Sequence, residues 1–281
     1  MPDQHYFRCR ECGLIVLRPL LSEQALEHRY AEARLGDGSS FEAALTAARG
    51  EINTIMGGQS KDRHRFWRLA SEIYDVEIGN RKPGKILDIG CGIGSELLLL
   101  RRKGWDIFGT DIDRVAIAAL SESFPGHFWI TGSQSSEWSE KFDVVMKNQV
   151  LEHLTDPKVL LRSLLGLLKP GGQLVIVTPN AASWARSLFG ARWIQYWPPE
   201  HVALYGPDQI RRLLRDSGWQ VRTVSTYAAP GTDYALSVRQ FLHLPLEPGT
   251  WEKLPWFPLA WAGTFLCHGS ELVAVAVPAE C

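Results

Sequence analysis

The rhythm of apolar and polar positions changes near residue 85. Between residues 22 and 76 apolar side chains recur at helical spacing. Ser22 is placed to cap a helix over Glu23–Ala33, and the Gly-Asp-Gly-Ser-Ser run at 36–40 interrupts it. Phe41–Arg49 resumes the pattern. Ser60 can cap a third segment carrying Phe66, Leu69, Ala70, Ile73 and Tyr74. From Lys85 onward short apolar runs alternate with amphipathic ones. The runs predict strands over Lys85–Ile89, Trp105–Thr110, His127–Thr131, Phe142–Met146, Gln173–Thr178, Trp219–Tyr227 and Glu271–Val277. Helices are predicted between them over Ser95–Lys103, Arg114–Ser123, Pro157–Leu168 and Pro207–Asp216, the last ended by Gly218. Strands and helices in this alternation predict an α/β fold of βαβ units around a parallel sheet.

Composition narrows the class. The chain has 281 residues, 45% hydrophobic and 22% charged, which excludes a disordered or fibrous chain. Thirty basic against 31 acidic residues leave a net charge of -1, so no basic field for nucleic acid is expected. No run reads as a secretory signal or a membrane span, and the cysteines do not form a disulfide framework, so a cytoplasmic setting is expected. The count that needs an account is 11 Trp.

The chemistry-bearing stretch is Asp88-Ile-Gly90-Cys91-Gly92-Ile-Gly94-Ser95, where a buried strand runs through a glycine turn into a helix. Glycines let the backbone approach a ligand with no Cβ in the way. Asp111 closes the next strand about 20 residues on, the place of a carboxylate that binds ribose hydroxyls. The spacing is G-x-G-x-G, not the dinucleotide G-x-G-x-x-G. Asp88 would repel a pyrophosphate but suits a cationic ligand.

On these residues the sequence resembles the class I S-adenosylmethionine-dependent methyltransferases. The resemblance covers about Lys85–Tyr227 and the last strand. It also rests on Phe142-Asp-Val-Val, on Val150-Leu-Glu-His-Leu154 and on Leu168-Lys-Pro-Gly-Gly172. It implies a Rossmann-like seven-stranded sheet, mostly parallel with the last strand antiparallel, helices on both faces, and a helical N-terminal arm. S-adenosyl-L-methionine is the implied cofactor and S-adenosyl-L-homocysteine the product. The matching residues are Asp88 near the methionine moiety, Gly90, Cys91 and Gly92 in the turn under the cofactor, and the cofactor-binding Gly94 at the helix start. Asp111 matches the ribose carboxylate and Ile112 the adenine contact. Ser133 stands where the family often has Asp, and Asn148 lies in the segment lining the methionine side. The implied activity is methylation of a small-molecule, sugar or lipid-linked acceptor, mainly at oxygen. A nicotinamide-dependent oxidoreductase and a non-catalytic module of the same fold are the alternatives.

Two histidines are candidate bases: His201, in a proline-stiffened aromatic loop, and His153. Gln149, Glu152 and His153 have the i, i+3, i+4 spacing of one helix face. The sequence resembles the ubiquinone-type O-methyltransferases at this point, where Glu-x-x-Glu-His can hold a divalent metal. Gln149 replaces the first Glu, and no metal is expected. Aromatic residues cluster at Trp184–Trp197, Trp251–Trp261 and Phe66-Trp67, either as an apolar acceptor pocket or as packing of appended loops.

Cys9-x-x-Cys12-Gly13 is half of a zinc ribbon, and a structural zinc needs four ligands. His5 and His28 are the nearest further candidates. The chain reads as one that starts after a first knuckle, as a degenerate ribbon without zinc, or as one sharing zinc between subunits. The expected organisation is a knuckle over 1–21, a helical arm over 22–80 and a methyltransferase domain over 81–281.

Overall fold

The computed structural model describes residues 4–22, 25–26, 29, 40–58, 78, 81–131, 141–228 and 231–279. The expected helix over 60–76 with Phe66 and Trp67, together with His28, Ser133 and Cys281, lies outside the described residues. The chain gathers into two compact units. One comprises Ser22–Asn148 and Ser163–Val175, and the other Met1–Leu21, Gln149–Arg162 and Ile176–Cys281.

The first, the glycine-turn unit, is built from βαβ repeats. β3 (Lys85–Ile89) pairs in parallel with β4 (Asp106–Asp111) and β6 (Phe142–Asn148), and β4 pairs in parallel with β5 (Phe128–Ile130). Strands covered on both faces need no alternation, so Ile86, Leu87, Val144 and Val145 are all fully buried. α2 (Ser95–Arg101) buries Leu97, Leu98 and Leu100. α3 (Arg114–Ser123) starts at Asp113, whose carboxylate accepts the Val115 and Ala116 amides at 3.0 Å each. α1 (Phe41–Gly57) is capped by Ser40, and packs Ala44, Leu45, Ala48, Ile52 and Ile55 inward. The predicted end at Arg49 falls short. Gly50 is a poor helix former, but the apolar stripe continues to Ile55, and burial outweighs a propensity cost of about 1 kcal/mol.

The second, the histidine-pair unit, holds a small antiparallel sheet of β1 (His5–Arg8), β2 (Ile15–Arg18) and β8 (Ala203–Leu204). In register, Ile15 faces Leu204 and Val16 faces Ala203. β9 (Trp219–Tyr227) and β10 (Glu271–Pro278) pair antiparallel. α5 (Trp184–Phe189), α6 (Pro207–Asp216), α7 (Thr232–Phe241), α8 (Thr250–Lys253) and α9 (Phe257–Phe265) complete it. Its core joins Ile15, Ala185, Trp193, Leu204 and Tyr234. Trp193 is thus fully buried packing, and Trp219 is buried with its indole N–H donated to the Leu161 carbonyl at 3.0 Å. Trp251 and Trp261 are 83% and 61% exposed.

α4 (Pro157–Leu164) and β7 (Leu168–Pro179) contribute residues to both units. The large sheet has seven strands in the order β5-β4-β3-β6-β7-β10-β9. It is the expected mostly parallel Rossmann-like sheet with β10 reversed against β9. Among the described residues no helix is long and apolar enough to cross a membrane.

Candidate functional site

The glycine turn is shaped by three left-handed residues, Gly90, Gly92 and Gly94, at φ 86°, 53° and 75°. The Gly90 and Cys91 amides donate to the Thr110 carbonyl at 2.7 and 3.0 Å. This ties the turn to the end of β4, where Asp111 sits. The Gly92 amide donates to Asp111 Oδ2 at 2.7 Å, and the Asp113 amide donates to Oδ1 at 2.8 Å. Each oxygen keeps a second lone pair for a ligand hydroxyl. A Cβ on Gly92 would meet nothing within 4 Å, so the backbone there borders open space. Ile112 follows Asp111 directly.

Beneath the turn lies a buried polar cluster. Asp88 is 1% exposed, and its Oδ1 has no hydrogen-bond partner among the described residues. Burial holds its carboxyl well above the usual range, the neighbouring Glu96 pushes it further, and Lys147 pulls it back. Burial raises Glu96 to about 7, partly offset by hydrogen bonds, one of them from the Asn148 Nδ2 at 2.8 Å. Lys147 Nζ donates to the Ile89 carbonyl at 2.9 Å. The Cys91 thiol is buried and held well above its ordinary value by burial and then by Asp88. Asp88, Glu96 and Asn148 thus lie together, Glu96 acting on Asp88 and accepting from Asn148. S-adenosylmethionine fits on the buried Asp88, whose Oδ1 has no hydrogen-bond partner among the described residues, and the open backbone at Gly92. Glu96 and Lys147 were not singled out from the sequence. Their signal is a charge set against an unbroken apolar run: Glu96 before four leucines and Lys147 after Val-Val-Met.

In the histidine-pair unit, Leu151–His153 is a single 3-10 turn. Gln149 does not share a helix face with Glu152 and His153. It takes a left-handed φ of 52°, its amide donates to the Val177 carbonyl at 2.9 Å, and its side chain donates to Glu271 Oε2 at 2.6 Å. Glu152 is fully buried, and Thr178 Oγ1 donates to its Oε2 at 2.9 Å. His153 Nδ1 lies 2.9 Å from the Glu200 carbonyl, and His201 Nδ1 lies 2.8 Å from the Gln195 carbonyl. A carbonyl only accepts, so both Nδ1 atoms carry a hydrogen. The two rings meet edge to face at 4.8 Å.

His153 Nε2 is 3.9 Å from Glu152 Oε1, and Glu152, His153 and His201 bring one ligand-capable atom each within 4.8 Å of one another. Burial, and secondarily His153, lowers His201 to about 4, so its imidazole is neutral at pH 7. Nearby in the chain fold, burial raises Asp233 to about 6 and Glu271 to about 8. A cavity of about 490 Å³ in this unit is lined by Val16, Leu154, Pro157, Val202 and Tyr205 among others; Leu154 and Val202 directly follow His153 and His201 in sequence.

At the N-terminus, Cys9 and Cys12 are both unbridged. Hydrogen bonds from the Cys12 and Glu11 backbone and from the Cys12 thiol lower the Cys9 thiol. Gln209 Nε2 donates to the Cys12 carbonyl, anchoring the knuckle to α6.

A family model described as a methyltransferase domain matches residues 61–224. The ubiquinone biosynthesis O-methyltransferase of Cereibacter sphaeroides is 34% identical over 146 residues, covering 48% of this chain and 59% of that protein. The enzyme of the same description from Ruegeria pomeroyi is 31% identical over 166 residues, covering 54% and 66%. The chain thus spans less than two thirds of these relatives. Among solved structures, the [4+2]-cyclase SpnF superposes with a TM-score of 0.52 at 16% identity, covering 86% of this chain and 98% of that one. A chain of the complex between the Haloferax volcanii Trm112 methyltransferase activator and a methyltransferase gives 0.51 at 18% identity, covering 83% and 96%. At these identities the two structures show a shared fold.

Proposed function

The chain belongs to the class I S-adenosylmethionine-dependent methyltransferases, and we propose that it methylates an oxygen of a small-molecule, sugar or lipid-linked acceptor in the cytoplasm. The observation that carries the oxygen reading is the histidine pair, which stands beside a fully buried carboxylate. An acceptor hydroxyl has a proton to lose on methylation, and the neutral His201 imidazole, held by its Nδ1–H, is placed to take it. The relatives described as ubiquinone biosynthesis O-methyltransferases support the same choice of atom. The nicotinamide-dependent alternative is set aside by the family match.

The roles follow from the residues. S-adenosylmethionine supplies a methyl group activated by its sulfonium. Gly90 and Gly92 give it a backbone floor free of Cβ atoms, and Gly94 starts the helix with its missing Cβ against Leu120. Asp111 accepts from the ribose hydroxyls, with Ile112 against the adenine. Asp88, with Glu96 and Asn148 behind it, complements the positive methionine end. His153 and His201 orient the acceptor and receive its proton. Ser133 keeps its proposed place near the adenine.

The test is transfer of labelled methyl from S-adenosylmethionine to a panel of phenols, sugars and lipid-linked glycans, with the product position read by mass spectrometry and NMR. The expected product carries the label on oxygen. Label on nitrogen or carbon, or no transfer to any acceptor while S-adenosylhomocysteine binds, overturns the oxygen reading.

A further inference from the structure

We propose that the cavity enclosed by the β1-β2-β8 sheet, α6 and residues 154–158 is a binding site for an amphipathic organic anion, an apolar body with one anionic head. The cavity lies wholly within the histidine-pair unit and is lined by none of the cofactor residues. It is a second site, and it does not rest on the acceptor reading above.

The walls follow from the sequence. Strand β2 is apolar on both faces. Alternation sends Ile15 into the core with Leu204, and turns Leu14, Val16 and Arg18 to the other side, where Val16 faces Ala203. A sheet face left to water usually carries polar residues, yet Leu14, Val16 and Ala203 make this one apolar, with the buried Tyr205 beyond them. The opposite wall is one face of α6: Gln209, Arg212, Leu213 and Asp216 stand at i, i+3, i+4 and i+7. Residues 154–158 supply the third side. Polar cross-links hold the walls in place. Gln209 Nε2 donates to the Cys12 carbonyl, and Lys158 Nζ donates to Asp216 Oδ2 at 3.0 Å. The volume of about 490 Å³ suits a small organic molecule, for which sites span about 300–1,000 Å³.

The rim selects the polar end of the ligand. Two of its three acids are engaged: Asp216 by Lys158, and Asp156 by the Lys158 amide, which donates to its Oδ1 at 3.2 Å. That leaves Glu11 against two arginines. Arg18 donates one nitrogen, Nη1, to the Leu17 carbonyl at 2.9 Å, and Arg212 acts on Asp216 by charge. Each guanidinium carries five N–H donors, so both keep donors for a carboxylate or phosphate above the apolar floor. The same wall is joined to the histidine pair, because the Val202 amide donates to the Glu152 carbonyl at 2.8 Å and the Val202 carbonyl accepts from Leu17 at 3.0 Å.

The experiment uses the full chain and calorimetry. The probes are decanoate and decyl phosphate below their micelle concentrations, with decanol as the neutral arm. The expected result is one equivalent of bound anion, held at least about tenfold more tightly than decanol, the scale of a hydrogen bond to a charged group. The tighter of the two anions identifies the head. Arg18→Gln and Arg212→Gln should each weaken anion binding by about tenfold and leave decanol binding unchanged. Val16→Phe, which fills the floor opposite Ala203, should weaken all three probes. Trp261→Ser, on the exposed face of α9, should change nothing. Cooperative thermal unfolding near the parent midpoint reports each variant as folded. The inference is overturned by absence of saturable binding, by decanol binding as tightly as the anions, by anion binding insensitive to both arginine variants, or by binding lost in Trp261→Ser. Methyl transfer to oxygen without anion binding overturns this site and leaves the proposed function standing. Anion binding without oxygen transfer does the reverse.

Discussion

Asp111 and His201 carry the two sharpest expectations at the scale of single residues. Asp111 spends one lone pair of each carboxylate oxygen on the Gly92 and Asp113 amides, so it is rigid before any ligand arrives. Asp111→Ala should weaken S-adenosylhomocysteine binding by about 1–3 kcal/mol, the range for hydrogen bonds to a charged group. Calorimetry checks it, and an unchanged dissociation constant removes the ribose role. His201→Ala should cut methyl transfer by roughly 10²–10⁴-fold with cofactor affinity intact. Turnover that survives marks His201 as structural. The glycine turn and the place of Asp111 at the end of β4 were legible because glycine spacing and a strand-end carboxylate leave marks in the sequence. Gln149 was not. Its spacing to Glu152 and His153 fits a helix face, and nothing local announces that Val177 and Glu271 will pull it into a left-handed conformation.

At the scale of elements, the β-strands were read well and several helices were missed. Trp219–Tyr227 was found to the residue because alternating β-formers end at a glycine on one side and leave the sheet on the other. α5, α7 and α9 went unread. Their apolar residues follow no clean stripe: α9 leaves Phe257, Trp261 and Phe265 exposed while burying Ala260 and Gly263. α1 was cut short at Gly50, which gives a direct test. A Cβ at Gly50 would meet nothing within 4 Å, and its φ is ordinary for a helix. Gly50→Ala should raise stability by about 0.5–1 kcal/mol, measured by urea denaturation. A loss of stability would mean that α1 does not run unbroken through that position.

For the whole molecule, the buried acids predict how stability varies with pH. Glu96 titrates near 4.5 when unfolded and about 7 when folded. Its folded pKa is raised, so its contribution is full below about 4.5 and is lost as pH rises toward 7, by up to about 3 kcal/mol. Glu96→Gln keeps an acceptor for Asn148 and removes the titration. Ligand-free unfolding of this variant should therefore show a flatter pH profile between 5 and 7 and greater stability at pH 7.5. An unchanged slope would assign the pH dependence to other groups.

The small β1-β2-β8 sheet also bears on how the protein is made. Tyr6 donates its hydroxyl to the carbonyl of His201 at 2.8 Å across 195 residues of chain. Such a contact is among the most expensive in loop-closure entropy and among the slowest to form. On a ribosome the first strands emerge early and wait for most of the polypeptide before their partner strand exists. The loop that carries His201 is therefore completed by residues from far upstream at a late stage of folding. Changes in β1, such as Tyr6→Phe, should register first as slow or incomplete recovery of activity on refolding.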